Sequence, residues 1–222
     1  MKNLIILLVP LICSNLANSQ IDVAPDRIRG EGPFNQLIIR GVTLINGNGA
    51  PPTGPVDVTV EGNKIVSIQN VGYPGLEINE DSRPKLKKGG KEIDAQKMYL
   101  LPGFIEMHGH ISSQKSGKAD YVYKLWMAHG ITTIRDPSCS QGLDWVLSER
   151  ERSLKNEITA PRILAYTSFG QGMKYGIKSP QEAINWVRNN AAKGADGIKF
   201  FGSRPDIFKA ALQENKKLGL RS

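Results

Sequence analysis

Cysteine is nearly absent from this chain of 222 residues: there are two, Cys13 and Cys139. Only Cys139 lies beyond the N-terminal leader described below, and one thiol cannot close an intramolecular disulfide. The mature chain must therefore be held by its core rather than by covalent staples. Histidine is scarce too, with three in all, at 108, 110 and 129, so imidazole chemistry has few places to sit. Aromatic residues are only 7% of the chain. They are not interleaved with the basic residues, and no nucleic-acid-binding module is recognisable, which argues against a nucleic-acid partner. Beyond residue 19 no run is long or apolar enough to cross a bilayer. No membrane partner is expected.

What is present is ordinary for a globular protein, 40% hydrophobic and 23% charged, so disorder is excluded. The first 19 residues stand apart. Lys2 gives a positive start, Leu4 to Cys13 an apolar core, and Ala17-Asn18-Ser19 a small-residue cleavage pattern. This predicts a signal peptide over 1–19 and export to the periplasm or beyond the cell. Ile12 is bulkier than a lipobox accepts, which argues against lipidation of Cys13. The 29 basic and 21 acidic residues leave a net charge of +8, or +7 once Lys2 departs with the leader. The one dense basic run, Lys85 to Lys91, reads as a solvated loop.

Taken in order, residues 20–35 form an irregular lead-in and 36–98 a small β domain. Leu37-Ile38-Ile39 and Val42 to Ile45 are β-branched runs broken by Asn46-Gly47-Asn48-Gly49 and the prolines at 51–55. Val56, Val58 and Val60 alternate with polar residues, and Gly62-Asn63 turns the chain into Ile65, Val66 and Ile68, a hairpin. No helix follows these Gly/Asn turns, so they do not read as a phosphate cradle. Residues 70–91 read as a loop.

From residue 99 the pattern changes. Leu100 to His110 reads as a buried strand, and helices are expected over 116–129, 143–154, 179–193 and 206–218. Strands fall at 131–136, 161–166 and 197–201. Gly130 suits a helix C-terminus, and Ser179-Pro180-Gln181-Glu182 is a capping box with proline at the first helical position. Strand alternating with helix builds a parallel sheet with crossover helices. The predicted fold class is α/β: the N-terminal half of a (β/α)₈ TIM-type barrel, preceded by the strand-rich segment 36–98. Since a full barrel takes about 250 residues, 99–222 is expected to be its first half, ending before a fifth strand.

Reactive groups in such barrels gather at the C-terminal ends of the strands. On a strand His108 and His110 would share a face roughly 6.6 Å apart, a spacing that suits two imidazoles of a zinc-type site. They could equally be two polar residues ending a strand. Lys199 sits between Ile198 and Phe200, an unusual place for a side chain almost never buried unpaired. It could face solvent or pair with Asp196 or Asp206. Alternatively, desolvation would lower its pKa, and the neutral amine could take up carbon dioxide as a carbamate able to bridge two metals. Other candidates carry less. His129 reads as a helix-end cap, and Asp136 as a residue behind the site or half of an ion pair. Cys139 has no histidine nearby in sequence to make it a nucleophile. The glycine-hinged loop 169–176 could face a substrate, and Trp126, Trp145 and Trp186 sit at packing positions.

Pro102-Gly103-Phe104-Ile105-Glu106-Met107-His108-Gly109-His110 resembles the first-strand motif of the metal-dependent amidohydrolase superfamily, Pro-Gly-(apolar)-(apolar)-Asp-x-His-x-His, with Glu106 in place of the usual Asp. Gly130 to Asp136, Ala160 to Ile163 and Gly194 to Lys199 are similar to strands two, three and four of its prolidase-like and Xaa-Arg-type dipeptidase branch. The resemblance implies that 36–98 is the N-terminal part of a small β-sandwich domain, and it implies metal ligation by His108 and His110, with Lys199 carboxylated and shared between two divalent ions, most simply Zn²⁺. It implies hydrolysis of a C–N bond in a dipeptide or other small molecule by metal-activated water. The histidines of strands five and six and the aspartate of strand eight that the family uses have no counterpart in this sequence. No catalytic residue is therefore expected in this chain, its substrate contacts are not assigned, and a homo-oligomer is compatible with it. Two other readings stand beside this one: a mononuclear cyclic-amide hydrolase in which Lys199 is not a ligand, and a non-catalytic binding protein on the same scaffold.

Overall fold

Alternation and turn chemistry build the first sheet. A computed structural model describes residues 32–111 and 119–222; the leader at 1–19 and the start of the helix expected at 116 lie outside the described residues. β1 (Gln36–Leu44), β2 (Thr53–Glu61) and β3 (Lys64–Asn70) form an antiparallel meander, with Gly62 at φ +57° in the hairpin turn. β4 (Lys91–Asp94) and β5 (Tyr99–Leu100) add parallel to β1, giving one mixed five-stranded sheet. Val42, Val56, Val58 and Ala95 form its core. Because Tyr99 and Leu100 pair with β1, the passage to the second sheet falls at 101–103.

The 70–91 segment is tied down rather than free. Asp57, with no exposed surface, accepts from Arg40 Nη1 (2.9 Å), Arg83 Nε (3.0 Å) and the Gly41 N–H (2.7 Å). Arg83 comes from that loop. Lys87 is exposed as the sequence predicts, yet its Nζ reaches Glu61 at 2.6 Å.

The second sheet is parallel throughout, in the order β6 (Phe104–Glu106), β7 (Ile131–Asp136), β8 (Arg162–Ser168), β9 (Gly197–Lys199). The connecting helices are α1 (Ala119–Ala128), α2 (Leu143–Leu154) and α3 (Pro180–Lys193), and α4 (Pro205–Lys217) follows β9. This is the expected half-barrel. Ile134, Ile163 and Ala165 face the helices, in one core with Tyr123, Leu143 and Val146. By the period-2 rule their neighbours Arg135, Leu164 and Tyr166 face the opposite, inner side. Ile198 joins Trp186, Val187, Ile207 and Ala211 in a second core beneath α3 and α4. Among the described residues no helix is long and apolar enough to cross a membrane.

Two expectations need correction. The run 100–110 is not one buried strand: Leu100 ends β5 in the first sheet, and Phe104–Glu106 forms β6 in the second. Pro102 and Gly103 break it on one side and a turn at Met107-His108 on the other. Phe104 and Ile105 are 59% and 58% exposed, because β6 pairs only with β7 among the described residues. In α1, where the spacing of Tyr121, Val122, Leu125, Trp126 and Ala128 predicts one buried face, the buried residues are instead Tyr123 and Lys124, and Leu125 is exposed. Tyr123 can be buried because its hydroxyl donates to Glu149 Oε2 at 3.0 Å; that carboxylate also takes Arg152 Nη1 at 2.6 Å.

The capping box forms with one displacement. Ser179 Oγ accepts from the Glu182 N–H at 3.2 Å, but Glu182 Oε2 takes the Lys178 N–H, one residue before the cap. Gly194 closes α3 in the left-handed region at φ +99°. Ser179→Ala is expected to cost about 1 kcal/mol. Thermal melting should then fall by roughly 2–4 °C, and an unchanged midpoint would show that proline at the first position suffices.

Candidate functional site

The turn that follows β6 is set by main-chain bonds on both of its sides. Glu106 Oε1 accepts from the His108 N–H at 2.8 Å, so the carboxylate one methylene longer than the family's aspartate holds the turn from within. Across the sheet Arg135 holds it twice: its carbonyl accepts from the Gly109 N–H (3.0 Å), and its Nε donates to the Met107 carbonyl (2.7 Å). Gly109 separates the two imidazoles because there is no room for more. A Cβ there would lie 3.0 Å from Trp126 Cζ2 and 3.0 Å from Glu106 Cγ.

His108 and His110 therefore come together through a turn rather than through strand alternation. Their ring centroids are 5.2 Å apart at an interplanar angle of 71°. His110 Nδ1 lies 2.9 Å from the Ser138 carbonyl. A carbonyl can only accept, so Nδ1 carries the proton and Nε2 keeps its lone pair. Asp136, fully buried, stands behind the same nitrogen, with Oδ1 3.6 Å away. It accepts from the Ser138 N–H (3.0 Å) and more weakly from the Ile111 N–H (3.4 Å). Burial pushes this carboxyl above the usual aspartate range; the Ser138 and Ile111 amides and His110 oppose that rise without cancelling it. The position accommodates both of its readings, a residue behind His110 and an ion-pair partner of that base.

Lys199, at the end of β9, reaches the same place. Its Nζ lies 3.4 Å from His108 Nε2 and 4.8 Å from the centre of the Phe201 ring. The alternative partners are engaged elsewhere: Asp196 with Arg150 at 3.0 Å, and Asp206 with Arg204 at 2.7 Å. The His108 imidazole and the Lys199 amine border a cavity of about 330 Å³, whose wall continues through Arg135 and Tyr166 to the apolar Phe200, Phe208 and Leu212. Gly197 makes room for Tyr166, since a Cβ there would fall 2.2 Å from its ring.

Among the described residues no three His, Cys, Asp or Glu side chains converge as a metal-binding group. The donor set fits a divalent ion in kind, with two imidazoles side by side and one of them, His110, already held by a carbonyl through its Nδ1. A third donor has to be Lys199, and only in a form that has lost its proton. His129 caps α1, its Nδ1 2.8 Å from the Leu125 carbonyl. Cys139 is buried. Trp186 lies in the core beneath α3 and α4, and Trp126 and Trp145 pack against the other core, the one that holds Tyr123 and Val146. Sequence reasoning missed Glu106, Ser138 and Arg135 as holders of the site; only a polar residue directly after the proline that stops β7 hinted at Ser138.

No family model matches the chain. It is 31% identical over 153 residues to an N-acyl-D-aspartate deacylase of Alcaligenes xylosoxydans xylosoxydans, 68% of this chain and 27% of that protein. It is 34% identical over 93 residues to an adenine deaminase of Methanoculleus marisnigri, 38% of this chain and 18% of that one. Among solved structures, a prolidase complexed with N-methylphosphonate-L-proline superposes with a TM-score of 0.64 at 16% identity, over 83% of this chain and 54% of the prolidase. The chain thus spans about a quarter or less of these curated relatives and about half of the prolidase. The activities those proteins are named for all break carbon–nitrogen bonds. With four motifs in barrel order, a parallel half-barrel beside a small mixed sheet, and these likenesses, the chain belongs to the amidohydrolase superfamily.

Proposed function

We propose that the protein is a metal-dependent hydrolase of a carbon–nitrogen bond in a dipeptide or similar small amide, and that this chain supplies the first half of its metal centre. The observation that carries the reading is the meeting of His108, His110 and Lys199, from β6 and β9, at one end of a parallel sheet. His108 and His110 would hold one divalent ion through Nε2. Lys199 would hold both ions after its neutral Nζ bonds to the carbon of carbon dioxide and releases a proton to solvent, giving an anionic carbamate. A bound Zn²⁺ pair would acidify water toward neutrality and polarise the scissile carbonyl.

The chain's own residues supply orientation. The Ser138 carbonyl holds the proton on His110 Nδ1, and Asp136 behind it favours the charge that imidazole gathers when it gives up electron density. Phe200, Phe208 and Leu212 present an apolar wall able to exclude water beside the reacting bond. The leader over 1–19 supports export as the setting.

Metal analysis of the full-length protein tests this. Two Zn²⁺ per chain are expected when bicarbonate is present, falling to one or none in Lys199→Ala. One ion per chain, unaffected by Lys199→Ala, would favour the mononuclear cyclic-amide reading. No ion in the wild type would leave the non-catalytic binding protein.

A further inference from the structure

The loop after β8 offers a residue whose polar groups are all spent on holding other elements in place. The Gln171 N–H donates to the Ser168 carbonyl at 2.9 Å, and its own carbonyl accepts from Trp186 Nε1 of α3 at 3.1 Å. Its side-chain Oε1 accepts from Thr167 Oγ1 at 2.9 Å, and its Nε2 donates to the Cys139 carbonyl at 2.6 Å. Cys139 directly follows Ser138, whose carbonyl fixes the His110 ring. Ser138 is bound to the same neighbourhood a second time, through a hydroxyl–hydroxyl contact with Ser168.

We propose that Gln171 is a positioning residue for His110: it locks the loop after β7 against β8 and α3, so that the Ser138 carbonyl stays where it selects the Nδ1–H tautomer and leaves Nε2 free for a metal. The polarity of the amide is dictated by its partners. A carbonyl at residue 139 demands a donor, and the hydroxyl of the buried Thr167 is left to give its proton to the remaining oxygen. A glutamate is nearly the same shape but cannot fill both roles, because it sets a carboxylate oxygen against the Cys139 carbonyl. This inference rests on the metal reading of His110, while the tautomer it concerns can be read without metal.

The test is ring-¹⁵N-histidine NMR of the metal-free full-length protein, together with Zn²⁺ affinity by chelator competition, for wild type, Gln171→Leu, Gln171→Glu and Ser179→Ala. Both Gln171 variants are expected to move His110 from the Nδ1–H toward the Nε2–H form and to weaken Zn²⁺ binding about 10- to 100-fold. Ser179→Ala, which loosens α3 without touching the loop, should change neither. Unaltered tautomer and affinity in both Gln171 variants would overturn the proposal, as would equal shifts in Ser179→Ala. If the tautomer follows Gln171 but the wild type binds no Zn²⁺, the metal reading fails and Gln171 stands only as an organiser of the ring.

Discussion

Replacing His108 or His110 by alanine is expected, on the hydrolase reading proposed above, to lower kcat/KM of the full-length protein by at least about 10³-fold, a loss of ~4 kcal/mol in transition-state stabilisation. Each imidazole stands on a turn held by other groups, the Glu106 carboxylate and the Arg135 carbonyl and guanidinium. Removing a ring therefore takes away a donor without unmaking the turn. Folding, followed by thermal melting, should be nearly unchanged while Zn²⁺ content falls. The double variant should be no worse than either single one, because residues that act as one unit do not lose activity additively. Either single variant retaining full activity would remove the site from its assigned place.

Loss of the Asp57 carboxylate should produce the largest fall in stability. Asp57→Ala leaves the guanidiniums of Arg40 and Arg83, 14% and 13% exposed, without the acid between them, and breaking one partner from a buried ion group costs about 3–5 kcal/mol. That corresponds to a drop of roughly 6–20 °C in melting temperature. The effect should depend on pH. Burial raises the Asp57 carboxyl, but the hydrogen bonds from Arg83, the Gly41 N–H and Arg40 outweigh it and hold the folded-state value below the usual aspartate range. A depressed folded value means that the stabilisation is complete above the unfolded-state pKa. It is lost as pH falls from there through the lower folded-state value. The gap between wild type and Asp57→Ala should therefore be flat near neutrality and narrow only in strong acid. A gap that widened on acidification would contradict this assignment.

Most of the half-barrel could be read from local signals, since its elements announce themselves within a few residues. Pro137 stops β7, Gly130 turns α1 into β7 at φ +78°, and Ser179-Pro180 opens α3. Lys199 was visible because a lysine within an apolar strand conflicts with its surroundings. What could not be read is held by partners far apart in the chain. The spacing of Tyr121, Val122, Leu125, Trp126 and Ala128 predicts one buried face for α1, but Tyr123 is the aromatic that enters the core; Glu149, 26 residues on, makes its hydroxyl acceptable inside. That the loop 70–91 is anchored could not be read because its anchor, Asp57, lies in another strand 26 residues before Arg83. The two histidines were expected to share a strand face. They meet through a turn, and a turn closed by Arg135 from the neighbouring strand leaves no periodic trace.

That clasp by Arg135 and Glu106 bears on how an ion would be captured. All three of its bonds end on main-chain atoms of residues 107–109, and none occupies an imidazole nitrogen. Little of the attraction between cation and rings is then diverted into freezing a floppy loop, so more of it is retained as affinity. Weakening the clasp, by Arg135→Met for example, should loosen ion capture while both rings remain in the sequence.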